Sequence, residues 1–289
     1  MTPPVLPVLP ARPVPPESPG AAAAAALASL EAKHTRFGLR RLRLGATLAA
    51  VAAFYAVCFS LAQVDPARLI AGLPRLVHWL VQAWPPRVDE LPLIAQRTAE
   101  TVAMATVGTT LAAVLALPMA LLASRNLTPL PWLYHPARGF LNMLRGIDSF
   151  VFALLFVAAV GLGPFAGVLG IALHTWGSAA KLFADHLENT DLAAYDAVRT
   201  TGAGRFTSIA YAVLPDVLPV FASTALFWLE FNVRASTVLG VVGAGGIGQE
   251  LKNSMDLLDF NRLFTIIAVI LIVVTVLDQI SGSLRRKLV

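Results

Sequence analysis

Charge is scarce in this chain. Only 13% of its 289 residues are Asp, Glu, Lys or Arg, and 57% are hydrophobic. Soluble domains carry about 25% charge and need it to cover their surface. Mean hydropathy is +0.71. Most cytosolic enzymes are thereby excluded, and so is a wholly disordered chain, which would be poor in large apolar residues. The composition is that of an integral membrane protein. Cysteine is nearly absent: Cys58 is the single thiol, so no disulfide closes within the chain, and its apolar setting makes it a small filler. Signatures of catalysis are missing too. There is no G-x-x-x-x-G-K-[ST], no G-x-S-x-G and no H-E-x-x-H. The histidines, His34, His78, His135, His174 and His186, have no metal-ligand spacing. No catalytic residue, metal site or cofactor is assigned to this chain. The pI is 9.8, but no basic stripe is interleaved with aromatics, so nucleic acid is not an expected partner.

Residues 1–20 contain eight prolines, and an alanine run follows. That density prevents helix and strand, so residues 1–35 are expected to be a disordered tail. Beyond it, six stretches have the length and apolarity to cross a bilayer, which takes about 20 residues. They run roughly from 44–64, 98–123, 139–160, 165–185, 211–238 and 263–282. The third and fourth are separated by Gly161-Leu-Gly-Pro164, a turn short enough to make an antiparallel hairpin. Leu73–Trp84 is too short to span and reads as an interfacial segment. With the N-terminus inside, thirteen of the 22 Lys and Arg fall on inner segments and four on outer loops. The positive-inside rule then places both termini in the cytoplasm. The expected fold is all-α, polytopic, with six transmembrane helices, because open sheet edges cannot face lipid.

Two pairs of charges fall within the expected spans. Glu230 and Arg234 are four residues apart in the fifth, and Arg145 and Asp148 three apart in the third. Each pair can offset its own cost of burial, and each can instead line a path in which an arginine meets an anionic oxygen. Lys181 and Asp185 are expected to snorkel together at the inner end of the fourth span. Gly243-Ala-Gly245-Gly246-Ile-Gly248 fits G-x-G-x-x-G, but a dinucleotide site needs a βαβ unit that this chain lacks. Those glycines are read as an outer gate or as a helix-packing turn.

The loop after the fourth span is the most informative. In Asp191-Leu-Ala-Ala-Tyr-Asp196-Ala197-Val198-Arg199-Thr-Thr-Gly202, Thr190 or Asp191 can cap a short helix and Gly202 can end it. A second helical start leads through Leu214-Pro215 into span five. The spacing resembles the EAA loop of ABC importer permeases on Asp196, Ala197, Val198, Gly202, Ala212, Leu214 and Pro215. Asp stands for the family's Glu, Val for its second Ala, and Ala for its Ile. Longer strings are similar to the phosphonate-type branch of that family: Phe152–Val168, His174-Thr175, Lys181-Leu182, and Asn232-Val-Arg234 through Gly248. Glu100-Thr101 and Ser124-Arg-Asn-Leu127 fit the same branch, and the likeness covers about 93–289. Asp148-Ser149 departs from it.

The resemblance implies a type I ABC importer permease, with residues 36–289 as its transmembrane domain in the cytoplasmic (inner) membrane. It implies phosphonates, phosphite or hypophosphite as cargo and a homodimer. It also implies two cytoplasmic ATPase subunits that hold the ATP and Mg, and a periplasmic or surface binding protein. The loop at about 189–205 would be the coupling helix, with Asp196, Ala197, Val198, Arg199, Gly202, Leu214 and Pro215 at the ATPase. Arg145, Asp148, Ser149, Glu230, Asn232 and Arg234 would line the path, and Gly243, Gly245, Gly246 and Gly248 the outer gate. The rival readings are a stand-alone secondary transporter or channel for small anions and a membrane-embedded enzyme.

Overall fold

The structure, a computed structural model, describes Gly20 and residues 43–288. The proline-rich tail and the cluster Arg36, Arg40 and Arg41 lie outside the described residues. Contacts divide the chain into Met1–Leu73 and Pro74–Val289. The first unit contains α1 (Arg43–Leu61) and the start of α2 (Pro66–Gln82). Asp65 caps α2, accepting from the Ala67 N–H at 3.0 Å. The expected interfacial segment is thus the second half of a longer helix.

The second unit holds α3 (Leu91–Ala123), α4 (Pro131–Gly146), α5 (Ser149–Val160) and α6 (Pro164–Asn189). Then come α7 (Ala193–Thr200), α8 (Arg205–Ser208), α9 (Leu214–Leu239), α10 (Gly246–Asp256) and α11 (Phe260–Leu288). One-turn π-helical segments, Ile209–Val213 and Gly240–Ala244, flank α9. No strand occurs among the described residues. The G-x-G-x-x-G run is preceded by a π turn, so no dinucleotide-binding βα unit exists there.

By length and apolarity, four helical stretches among the described residues can cross a membrane: α1, α3, Arg205–Ala244 and α11. The α4–α5 pair makes a fifth if it counts as one span. The remaining expected span, the fourth at 165–185, lies in α6, which has the length at 26 residues. It is the central helix, with thirteen of those residues buried, so its surface need not be apolar. Small residues let its neighbours approach. A Cβ on Gly177 would lie 2.6 Å from Leu144 Cβ, where α4 crosses. Phe183 of α6 stacks on Phe221 of α9 at 4.1 Å, and Ala116, Ala120 and Ala123 of α3 close the same core.

The third expected span is broken. α4 and α5 meet at 85°. Asp148 is the reason: its carboxylate accepts from the Phe150 N–H at 2.9 Å and starts a new helix. Ile147 C=O, released by the break, accepts from His174 Nδ1 at 2.9 Å. Hydrophobicity alone reads through such a cap. The turn 161–163 between α5 and α6 is as expected, with Gly161 and Gly163 at positive φ.

Candidate functional site

Helix α7 carries the segment expected to dock. Asp191 accepts from the Ala193 N–H at 3.0 Å and caps it. Tyr195, 6% exposed, is the anchor and packs with Leu187, Ile209 and Val213. Asp196, Ala197 and Arg199 are exposed, and Val198 is half-buried. The Thr200 and Thr201 hydroxyls donate to the carbonyls of Ala197 and Val198, both at 2.7 Å, satisfying the helix end. Gly202 follows at φ +85°, its N–H donating to Arg199 C=O at 3.0 Å. A Cβ there would meet nothing within 4 Å, so the constraint lies in the backbone alone. Arg205 then donates to Thr128 C=O at 2.6 Å. Leu214 and Pro215 are exposed at the start of α9. Phe206 and Tyr211, absent from the residues expected here, are also exposed, in the short helical segments that follow α7. The signal for them was two aromatics in the short helical stretch that follows the capped loop.

This face rests on a fixed platform. Arg138 of α4 pairs with Asp185 at 2.9 Å and Glu188 at 3.0 Å of α6, and donates to Ala123 C=O at 3.0 Å. Glu188 also accepts from the Arg125 N–H at 2.7 Å. The expected Lys181–Asp185 association is therefore corrected. Arg138 takes Asp185, and Lys181 donates instead to Asn142 Oδ1 at 2.6 Å.

The expected path residues separate into groups. Glu230 and Arg234 pair at 2.8 Å, as their spacing implied, and Arg285 of α11 reaches the same carboxylate at 2.6 Å. Arg145 and Asp148 do not pair, because the break between α4 and α5 destroys the i, i+3 geometry; both are exposed. Ser149 is buried. Asn232 is fully buried, donating to Thr109 Oγ1 at 2.8 Å and Thr175 Oγ1 at 2.9 Å. It joins α3, α6 and α9 through these bonds.

The glycine segment lies where α9 turns into α10. Gly243, Gly245 and Gly246 have positive φ, and Gly245, Gly246 and Gly248 are buried. A Cβ on Gly240 would lie 2.6 Å from Gly248 Cα, so the chain crosses itself closely. Thr101 Oγ1 accepts from the Ile247 N–H at 2.8 Å. An ionic cluster unforeseen in the sequence surrounds α10. Arg262 meets Glu250 and Glu90, both at 2.8 Å; Arg97 meets Glu100 at 2.9 Å and Glu250 at 3.4 Å. Its partners come from three helices and the loop before α3, far apart in sequence.

Comparison with known proteins places this arrangement. Residues 92–289 match the family described as binding-protein-dependent transport system inner membrane component. The chain is 48% identical over 246 residues to the putative phosphite transport system permease protein HtxC of Stutzerimonas stutzeri, covering 85% of this chain and 87% of that one. It is 39% identical over 229 residues to the phosphite transport system permease protein PtxC of the same organism, covering 79% and 83%. A chain of the MetNI methionine ABC transporter, solved in inward-facing conformations, shares the fold. Its TM-score is 0.62 at 21% identity, over 70% of this chain and 99% of that one.

Proposed function

This chain belongs to the family of binding-protein-dependent transport system inner membrane components, and from that premise we propose that it is the permease of an ATP-driven importer of phosphite, phosphonates or related oxyanions. Membership makes it a multi-pass inner-membrane protein and a transport subunit rather than an enzyme, and decides against a stand-alone channel. The single observation that carries the cargo is the likeness to two phosphite permeases along most of each chain.

In this reading two copies pair around the path, each on a separate ATPase that binds ATP and Mg, with a binding protein outside and both termini inside. The exposed face of α7 seats in the ATPase. Tyr195 and the Arg138 platform make α7 move as one piece with the inner ends of α3, α4 and α6, so ATPase closure can shift the population between inward- and outward-facing states. The segment at Gly243–Gly248, with its irregular backbone, forms the outer gate, and Glu230 and Arg234 border the path.

The test is purification of the tagged chain from native membranes, with the stoichiometry of co-purifying chains and their ATPase activity measured. A permease pair with an ATPase pair, stimulated by phosphite-loaded binding protein, is expected. A different permease as partner replaces the homodimer. A lone chain that transports without ATP overturns the reading.

A further inference from the structure

Among the described residues, two cations of helices α3, α4, α6 and α9 have no carboxylate partner. Helices α3, α4, α6 and α9 contain Arg97, Arg138, Arg145, Lys181 and Arg234. Arg97 is matched by Glu100, Arg138 by Asp185 and Glu188, and Arg234 by Glu230. Among the described residues, Arg145 and Lys181 make no ion pair. Both lie where α4 and α6 pack together. A Cβ on Gly177 of α6 would lie 2.9 Å from the backbone N of Arg145, so the two helices touch there. Lys181 stands one turn beyond Gly177 on α6, and Asn142 one turn before Arg145 on α4. Lys181 Nζ donates to Asn142 Oδ1 at 2.6 Å and closes the group. Arg145 and Asn142 are exposed and Lys181 is half-buried.

Two features argue that this face meets water. A cation is costly at membrane depth unless it meets a counter-charge or water, and here two lie on touching turns of α4 and α6. Beside them runs the break at Gly146–Asp148, where Gly146 and Asp148 are exposed. Non-helical backbone persists at membrane depth only under protein or against a water-filled cavity. The nearest acids are turned elsewhere: Asp185 to Arg138, and Asp148 to the Phe150 N–H as the cap of α5. At 1.5 Å per residue, Lys181 lies about 25 Å along α6 from Pro164, toward the inner side of a core about 30 Å thick.

We propose that Arg145, Lys181 and Asn142 form an anion-recognition station on the translocation path, which takes a small tetrahedral phosphorus oxyanion. The guanidinium and ammonium meet its oxygens. Asn142 holds Lys181 through Oδ1 and has its amide N–H₂ left to donate. Arg234 already holds Glu230, a carboxylate it shares with Arg285, and is not assigned this role. The station rests on the oxyanion-permease reading above. A lipid headgroup offers the same phosphate chemistry, and we assign the station to the transported anion.

The experiment uses the complete importer in proteoliposomes with phosphite. Arg145→Gln and Lys181→Gln are expected to lower the maximal uptake rate about tenfold. Half-saturating phosphite stays unchanged, because the binding protein sets it, and ATPase stimulation persists. Arg145→Lys and Lys181→Arg, which keep the charge, restore most of the rate; should the Gln variants fail to assemble, these two and Asn142→Ala decide, with a rate loss expected for Asn142→Ala alone. Normal uptake in the Gln variants overturns the station and leaves the importer standing. Loss of co-purified phospholipid with normal uptake assigns the pair to a headgroup and overturns it as well. No ATP-driven phosphite uptake by the unaltered importer overturns the permease reading itself.

Discussion

Glu250 of α10 and Arg262 of α11 meet at 2.8 Å with only 6% and 9% of their surfaces exposed. Glu90 and Arg97 complete the cluster, and Ser254 lies 3.4 Å from the same guanidinium. α10 is therefore tied to α3 and α11, while the glycines before it are free of such bonds.

Removing one partner of a buried ion pair costs about 3–5 kcal/mol, because the other charge is left uncompensated. Glu250→Gln should lower the thermal stability of the detergent-purified protein accordingly, reduced where Glu90 still holds Arg262. The double variant Glu250→Gln/Arg262→Gln should recover part of the loss. A single variant as stable as the unaltered chain would show that the cluster does not hold α10.

Gly202 sits at φ +85° with open space around its Cβ position. Gly202→Val clashes with nothing, but holding a β-branched residue in that region costs about 1–3 kcal/mol. The turn after α7 should relax and α7 shift. Membrane insertion is expected to persist while ATP hydrolysis loses its coupling to uptake. Unchanged uptake would sink the docking role of α7.

Glu230 holds two arginines, so its loss and theirs are unequal. Arg234→Gln leaves Glu230 paired with Arg285 and should change stability by less than about 1 kcal/mol, as for exposed pairs. Glu230→Gln strips both cations of their carboxylate and should cost more, about 1.5–3 kcal/mol. Thermal melts of the two variants check the order. Phosphite uptake should fall in Arg234→Gln if it borders the path.

Much of the architecture was legible along the chain. The apolar runs marked the helices, the glycines at 161 and 163 marked the turn, and the capped, glycine-ended loop marked α7. Glu230–Arg234 was legible because one helix sets the distance between its own residues. Arg145–Asp148 was misread because the same spacing means nothing across a helix break, and the cap that makes the break is a single carboxylate in an apolar run. Phe206 and Tyr211 went unnoticed because exposure depends on what the neighbouring helices cover.

The sequence by itself determined the class of molecule, the membrane setting, the all-helical fold and the short helix α7. Those follow from composition and from patterns shorter than about one helix, which need no knowledge of neighbours. Only the tertiary structure decided which charges are matched. Asp185 goes to Arg138 rather than to Lys181 on its own helix, Arg285 crosses from α11 to Glu230, and the α10 cluster gathers residues from both ends of the second unit. A charge chooses its partner by distance in space. In a bundle the shortest distance often runs between helices, so the two cations of α3, α4, α6 and α9 that make no ion pair could be found only after the pairs of those helices had been placed.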